Sequence, residues 1–256
     1  MKLIFNETSI FYTRKGSGPA LVLLHGFLES ATMWERLSMT LAQKNTVLTI
    51  DLPGHGQSEC LDETHTMEIM AETVNALLQK EKIGTAGFIG HSMGGYVALA
   101  FAELFPEKTD SLILLNSSPA EDSPERKQNR DRAIELMLVN PKGFIQMAIS
   151  NLFAETSRKQ FASEIAALKK EALSFPVHGI IAAIRGMRDR KDRTSVLKHF
   201  KKKKYMICGT KDPIIPLEVS EILSKHCETP LIKVESGHMT LTENYEEIVK
   251  IMLFID

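Results

Sequence analysis

Gly90-His91-Ser92-Met93-Gly94-Gly95 stands between two apolar runs, Ala86 to Ile89 and Tyr96 to Phe105. The first is short and continuous, as in a strand buried on both faces, and the second is long enough for a helix. A serine with glycine two residues to either side, between a strand and a helix, has the spacing of a nucleophile elbow. The chain must reverse sharply there, and the serine takes a strained backbone conformation that tolerates only small neighbours. Its hydroxyl is then held at the carboxyl edge of a sheet, with the amide end of a helix behind it. Such a serine is useful only with a histidine, a carboxylate and a second oxyanion donor in reach.

Upstream of the elbow, Leu3–Phe5 and Ile10–Thr13 read as an opening hairpin around Asn6-Glu7-Thr8-Ser9. Ala20–Leu24 and Thr46–Ile50 read as buried strands, and Glu29–Ala42 and Thr66–Gln79 as helices. Ser111–Leu115 follows the elbow helix as a further strand. Strand and helix alternate throughout, which predicts an α/β fold with a mostly parallel, doubly wound sheet and functional groups at the carboxyl ends of its strands. The alternation stops at Pro119. Helical stretches over 123–139, 142–153, 157–173 and 177–188 predict a helical cap inserted after the sixth strand. Residues 1–118 and 191–256 would form the core, and 119–190 the cap. The strand pattern resumes with Tyr205–Cys208 and Leu231–Val234, around a helix over Leu217–His226, and a closing helix spans Glu243–Phe254.

Composition narrows the function. A chain of 256 residues, 43% hydrophobic and 25% charged, can bury a full core in one domain. With 31 basic and 32 acidic side chains it offers no cationic field for a nucleic acid. Lys201–Lys204 is four cations long and reads as a solvated lead-in to a strand. No apolar run reaches the roughly 18 residues of a membrane span, and no export signal opens the chain. Cys60, Cys208 and Cys227, odd in number and irregular in spacing, read as free thiols of a cytoplasmic protein. Nothing in the sequence calls for a metal or a cofactor.

Two strands beyond the cap each end in a residue the elbow needs. Asp212 follows Tyr205–Cys208, and His238 follows Leu231–Val234. The chain order Ser92, Asp212, His238 is the one expected after a nucleophile elbow. His238 would take the serine proton and return it to the leaving group, while Asp212 would hold the imidazole tautomer. The second oxyanion donor belongs in the loop after Ala20–Leu24, so the amides of Phe27 and Met93 are the predicted pair. Asp51 rivals Asp212 as the acid but ends a strand on the wrong side of the elbow. His25 and His91 lie beside glycines at strand ends and read as loop braces.

His25-Gly26-Phe27, Asp51-Leu52-Pro53-Gly54-His55-Gly56-Gln57-Ser58, Gly90–Gly95, Gly209-Thr210-Lys211-Asp212-Pro213 and Gly237-His238 together resemble the blocks of the α/β-hydrolase family, in its cap-bearing, lipase-like serine branch. The resemblance runs over almost the whole chain. It implies ester or thioester hydrolysis through an acyl-enzyme on Ser92, with a small-molecule substrate carrying a small to medium, mainly apolar acyl group. It makes Asp51 a loop anchor. Some members carry the acid after the sixth strand, where this chain has Asn116 and Ser117. Relatives with aspartate at the elbow open epoxides or displace halides, and Ser92 excludes that chemistry. Carbon–carbon bond hydrolases of the family resemble Gly-Asn-Ser-Met-Gly-Gly where this chain has His91. A lyase of menaquinone synthesis carries arginine in place of Tyr96, and perhydrolase-like members carry tryptophan and proline in place of Phe27 and Leu28. A ligand-binding, receptor-like member that keeps the triad is the reading from a different class. Leu28, Tyr96, Met137, Phe144, Met187, Ile214 and Met239 are the candidate substrate contacts. One of Arg185, Arg188, Arg190 and Arg193 is a candidate bridge from cap to sheet.

Overall fold

The computed structural model describes residues 1–255. Eight strands form one sheet: β1 (Lys2–Phe5), β2 (Thr8–Lys15), β3 (Ala20–Leu24), β4 (Thr46–Ile50), β5 (Ala86–His91), β6 (Thr109–Leu115), β7 (Lys203–Gly209) and β8 (Leu231–Val234). Their spatial order is β1-β2-β4-β3-β5-β6-β7-β8. β1 pairs with β2 and β2 with β4 in antiparallel fashion, and every later pairing is parallel. Crossover helices cover both faces, which explains the continuous apolar runs. In β3, Val22 and Leu24 enter one apolar cluster while Leu21 and Leu23 enter the other. The first cluster packs under α2 (Met67–Lys80) and α3 (Met93–Leu104), and the second under α1 (Glu35–Leu41) and the terminal α11 (Tyr245–Ile255).

Local chemistry sets the helix limits. The helix expected from Glu29 starts later, as a 3-10 turn over Ala31–Trp34, because the Ser30 hydroxyl accepts the Thr32 amide and caps it there. Thr66 caps α2 by accepting the Ile69 amide at 3.1 Å. Between β6 and β7 lie α4 (Pro124–Val139), α5 (Pro141–Ser150), α6 (Ala162–Ala172) and α7 (Val177–Arg188), then a short α8 (Thr194–His199) that the sequence reading lacks. Pro124 and Pro141 open their helices, where proline costs no hydrogen bond. The stretch 157–161, read as the start of a helix, is a series of turns. The Ser157 hydroxyl bonds back to Ala154 O and across to Glu243, which holds the chain out of helical register. α9 (Leu217–His226) precedes β8, and the closing helix is split by Asn244 into α10 (Thr240–Glu243) and α11.

The insertion is tied to the core at several points. Arg193 is 2% exposed and bonds Glu68 on α2 at 2.7 Å and Glu103 on α3 at 2.9 Å. Asp122, at the root of α4, is fully buried and receives Arg126, Arg130 and Arg190 at 3.1, 3.1 and 2.7 Å. Burial alone would raise its pKa, but the Arg130 and Arg190 guanidiniums win and hold it below the usual carboxylate range. Glu171 on α6 accepts the Ser30 and Thr32 hydroxyls beside the β3 loop. α7 meets the core backbone to backbone. A Cβ on Gly54 would lie 2.7 Å from Gly179 Cα, and one on Gly186 would strike the His65 carbonyl. Cys60, Cys208 and Cys227 are free thiols. No described helix is long and apolar enough to cross a membrane.

Candidate active site

Ser92 sits at the β5–α3 turn with φ 49° and ψ −114°, outside the regions that L-residues favour. The turn is held from both sides: the Ser92 amide donates to Leu115 O at 3.0 Å, and the Ser117 hydroxyl donates to Ser92 O at 2.7 Å. The flanking glycines leave no room for a side chain. A Cβ on Gly94 would meet the Leu24 carbonyl and lie 2.7 Å from His25 O, so the α3 backbone lies directly on the β3 loop. Gly94→Val is therefore expected to cost about 3 kcal/mol of stability, measured by urea unfolding, because neither backbone segment can yield without moving the other.

Three strand ends converge on this serine. Ser92 Oγ lies 2.9 Å from His238 Nε2, and His238 Nδ1 lies 2.7 Å from Asp212 Oδ2. An ionised carboxylate only accepts, so Nδ1 carries the ring proton and the Nε2 lone pair faces the serine hydroxyl. The other carboxylate oxygen of Asp212 accepts the amides of Ile214 and Ile215 at 2.8 and 2.9 Å. Burial works to raise the Asp212 pKa, but the charge and hydrogen bond of His238 and these further donors hold it below the ordinary carboxylate value. Asp212 and His238 are buried, and Ser92 is half-buried.

Met93, the first residue of α3, follows the serine directly, and Phe27 lies in the loop after β3. Leu28, with φ 63°, folds that loop back over the strand end. Asp51 is occupied elsewhere: its oxygens accept the Ala31 and Gln57 amides at 2.7 and 2.8 Å, which closes the loop after β4. Two further residues bear on the site and were not among the sequence candidates. Asn116 Nδ2 donates to Asp212 Oδ2 at 3.0 Å and to Gly237 O at 3.2 Å, joining the acid to the strand end that carries the histidine. Glu29 accepts from His91 at 2.9 Å and from the Gly26 amide at 2.7 Å. Asn116 had one signal in the sequence, its place where some family members keep the acid.

The proposed substrate contacts separate into groups. Leu28, Met93 and Met239 join Met137 and Met187 of the insertion in one buried apolar cluster, with Phe144 packed against it. Met137 is 0% exposed, so it is a packing residue of the insertion in this conformation. Tyr96 lies under the Arg190 guanidinium at 4.1 Å and borders a cavity of about 260 Å³ with Ser118, Arg126, Ile215 and Val219. Arg126 donates to Ile214 O at 3.1 Å. Two cations thus lie beside the motifs, where the sequence shows none; both are engaged by Asp122 and by backbone carbonyls. Among the described residues, no group of three or more His, Cys, Asp or Glu is gathered to hold a metal ion.

Comparison with known proteins places this geometry in a family. An uncharacterized protein of Mycobacterium tuberculosis is 40% identical over 102 residues, which cover 40% of this chain and 30% of that protein. The dihydrolipoyllysine-residue acetyltransferase component of the acetoin cleaving system of Pseudomonas putida is 30% identical over 92% of this chain and 63% of its own length. The chain thus spans less than two thirds of these two relatives. A thermophilic esterase from Thermogutta terrifontis, solved with malate bound, superposes with a TM-score of 0.91 at 29% identity, covering 98% of this chain and 96% of that one. The sequence profile of the alpha/beta hydrolase fold matches residues 19–245, and the chain belongs to that family.

Proposed function

We propose that the protein is a serine carboxylic-ester hydrolase acting on a small to medium, mainly apolar acyl group. The observation that supports this reading most is the unbroken proton path from Ser92 Oγ to His238 at 2.9 Å and on to Asp212 at 2.7 Å, set on a strained elbow. His238 takes the hydroxyl proton as Ser92 attacks the ester carbonyl, and the tetrahedral oxyanion meets the amides of Phe27 and Met93. Collapse expels the alcohol with the proton held by His238 and leaves an acyl-enzyme. Water, activated by the same imidazole, releases the acid. The similarity to a thermophilic esterase over nearly the full length of both chains adds weight.

A panel of p-nitrophenyl esters from acetate to dodecanoate, together with acyl-CoA thioesters and vinylogous diketones, tests the reading. Short to medium esters should turn over fastest, and the Asp212 carboxyl, held below the usual carboxylate range, keeps its charge until the pH falls below that range. Turnover of the diketones alone would replace the ester reading with carbon–carbon hydrolysis. Failure of a fluorophosphonate to label the folded protein would replace it with a ligand-binding role.

A further inference from the structure

One buried acid touches both arms of the proposed machinery. Glu29 lies in the loop after β3, three residues beyond Gly26, and its Oε2 accepts the Gly26 amide at 2.7 Å. The same oxygen lies 2.9 Å from His91 Nδ1, and His91 Nε2 lies 2.9 Å from the main-chain carbonyl of His238. The side chains of His91 and Glu29 are 0% and 2% exposed. The chain of contacts runs from the amide just ahead of the oxyanion donor Phe27 to the backbone of the base, and it passes beneath the nucleophile through the residue that precedes it.

Hydrogen-bond roles constrain the protons. A carbonyl oxygen only accepts, so His91 Nε2 carries hydrogen. Glu29 Oε2 accepts the Gly26 amide and faces Nδ1; with Glu29 ionised, Nδ1 carries hydrogen as well and His91 is an imidazolium. Other titratable groups face this pair from the neighbouring elements: His25 from the β3 loop, Asp212 from beyond β7, and the His238 ring, whose centroid is 5.1 Å from that of His91. Burial works against both charges. For His91 it is outweighed by Glu29 and the His238 carbonyl, and the pKa is raised; for Glu29 it is outweighed by His91 and the Gly26 amide, and the pKa is lowered.

We propose that the Glu29–His91 ion pair is a positioning unit that fixes the oxyanion-donor loop and His238 relative to one another across the elbow. The idea rests on the serine-hydrolase reading for its kinetic consequence and on geometry alone for its protons. With the pair intact, the Phe27 amide and the imidazole are set from one buried point. When the pair loses its shared proton, a lone pair on Nδ1 faces a carboxylate, and the β3 loop and the histidine are released from each other. The sign follows: a raised imidazole value keeps the contribution complete at and below the ordinary histidine range and removes it as pH climbs through the folded-state value. Activity should then show an alkaline limb that belongs to His91.

Nitrogen NMR on the histidine rings of the unmodified protein tests the protonation. Followed from pH 6 to pH 10, His91 should keep both ring nitrogens protonated beyond the ordinary histidine range, its resonances assigned by their disappearance in His91→Asn; loss of one of these protons within or below that range would overturn the proposal. Kinetics test the consequence. Glu29→Gln should lower kcat on p-nitrophenyl butyrate about 10- to 100-fold, as for a small misplacement of catalytic groups, with KM changed less than threefold. It should also abolish the alkaline limb, whereas Glu29→Asp should restore part of kcat and keep the limb. An unchanged kcat, or an alkaline limb identical to that of the parent protein, would overturn the positioning role. If Glu29→Gln does not fold, the NMR result on the unmodified chain still decides. If fluorophosphonate fails to label the unmodified protein, the hydrolase reading falls, and the doubly protonated His91 stands or falls separately.

Discussion

Ser92→Ala should abolish fluorophosphonate labelling and lower kcat for ester hydrolysis by about 10⁴- to 10⁶-fold, the range for removal of an acting nucleophile. The fold should survive the change, because what holds the elbow is not the hydroxyl. The Ser92 amide and carbonyl are fixed by Leu115 and the Ser117 hydroxyl, and both bonds remain in the alanine variant. Stability should stay within about 1.5 kcal/mol of the parent, the net worth of the one hydrogen bond lost, from Ser92 Oγ to His238. A small residual rate should persist, since the proposed oxyanion donors, the Phe27 and Met93 amides, are untouched by the substitution. Labelling of the alanine variant at the parent rate would show that another nucleophile reacts and would remove Ser92 from the mechanism.

Asp212→Asn should lower kcat about 10⁴-fold with little change in KM, the loss seen when a triad histidine is held in the wrong tautomer. The surroundings dictate which way the amide must face. Two backbone amides, of Ile214 and Ile215, donate to one side-chain oxygen, so the asparagine oxygen must occupy that side. Its NH₂ group then points at His238 Nδ1 and at the Asn116 amide, both of which donate in the parent structure. Donor meets donor. His238 escapes by moving its proton to Nε2, where it can no longer accept from Ser92. Steady-state kinetics combined with the fluorophosphonate labelling rate checks this: both should fall together. A loss of less than tenfold would mean that Asp212 does not set the tautomer.

Much of the fold is legible in the chain because parallel strands buried on two faces leave apolar runs, unbroken in β3 and over Leu112–Leu115 of β6 and Tyr205–Cys208 of β7. The elbow is legible because its two constraints, an exposed hydroxyl and a backbone without room for side chains, are local. Within the cap, α4 and α7 lie within a residue of the expected 123–139 and 177–188, whereas the turn at 157–161, which owes its shape to a distant glutamate, has no local marker. Glu29 and Asn116 escaped the sequence for the same reason. Their partners lie 62 and 96 residues away, and either residue would be ordinary in a surface loop. Spacing predicts what a residue can reach along its own element; it is silent about what the sheet order later brings alongside.

The meeting of Gly54 with Gly179, and of Gly186 with the His65 carbonyl, bears on how such a protein could change its diet. Where two backbones touch, no side chain can be exchanged to widen or narrow the space between them, so α7 behaves as a fixed doorpost. New substrate preferences would have to be written into α4, α5 and α6, whose contacts with the rest of the molecule run through replaceable side chains. A library confined to those three helices should yield folded variants with altered chain-length preference, while one that includes Gly54, Gly179 or Gly186 should be dominated by unfolded ones.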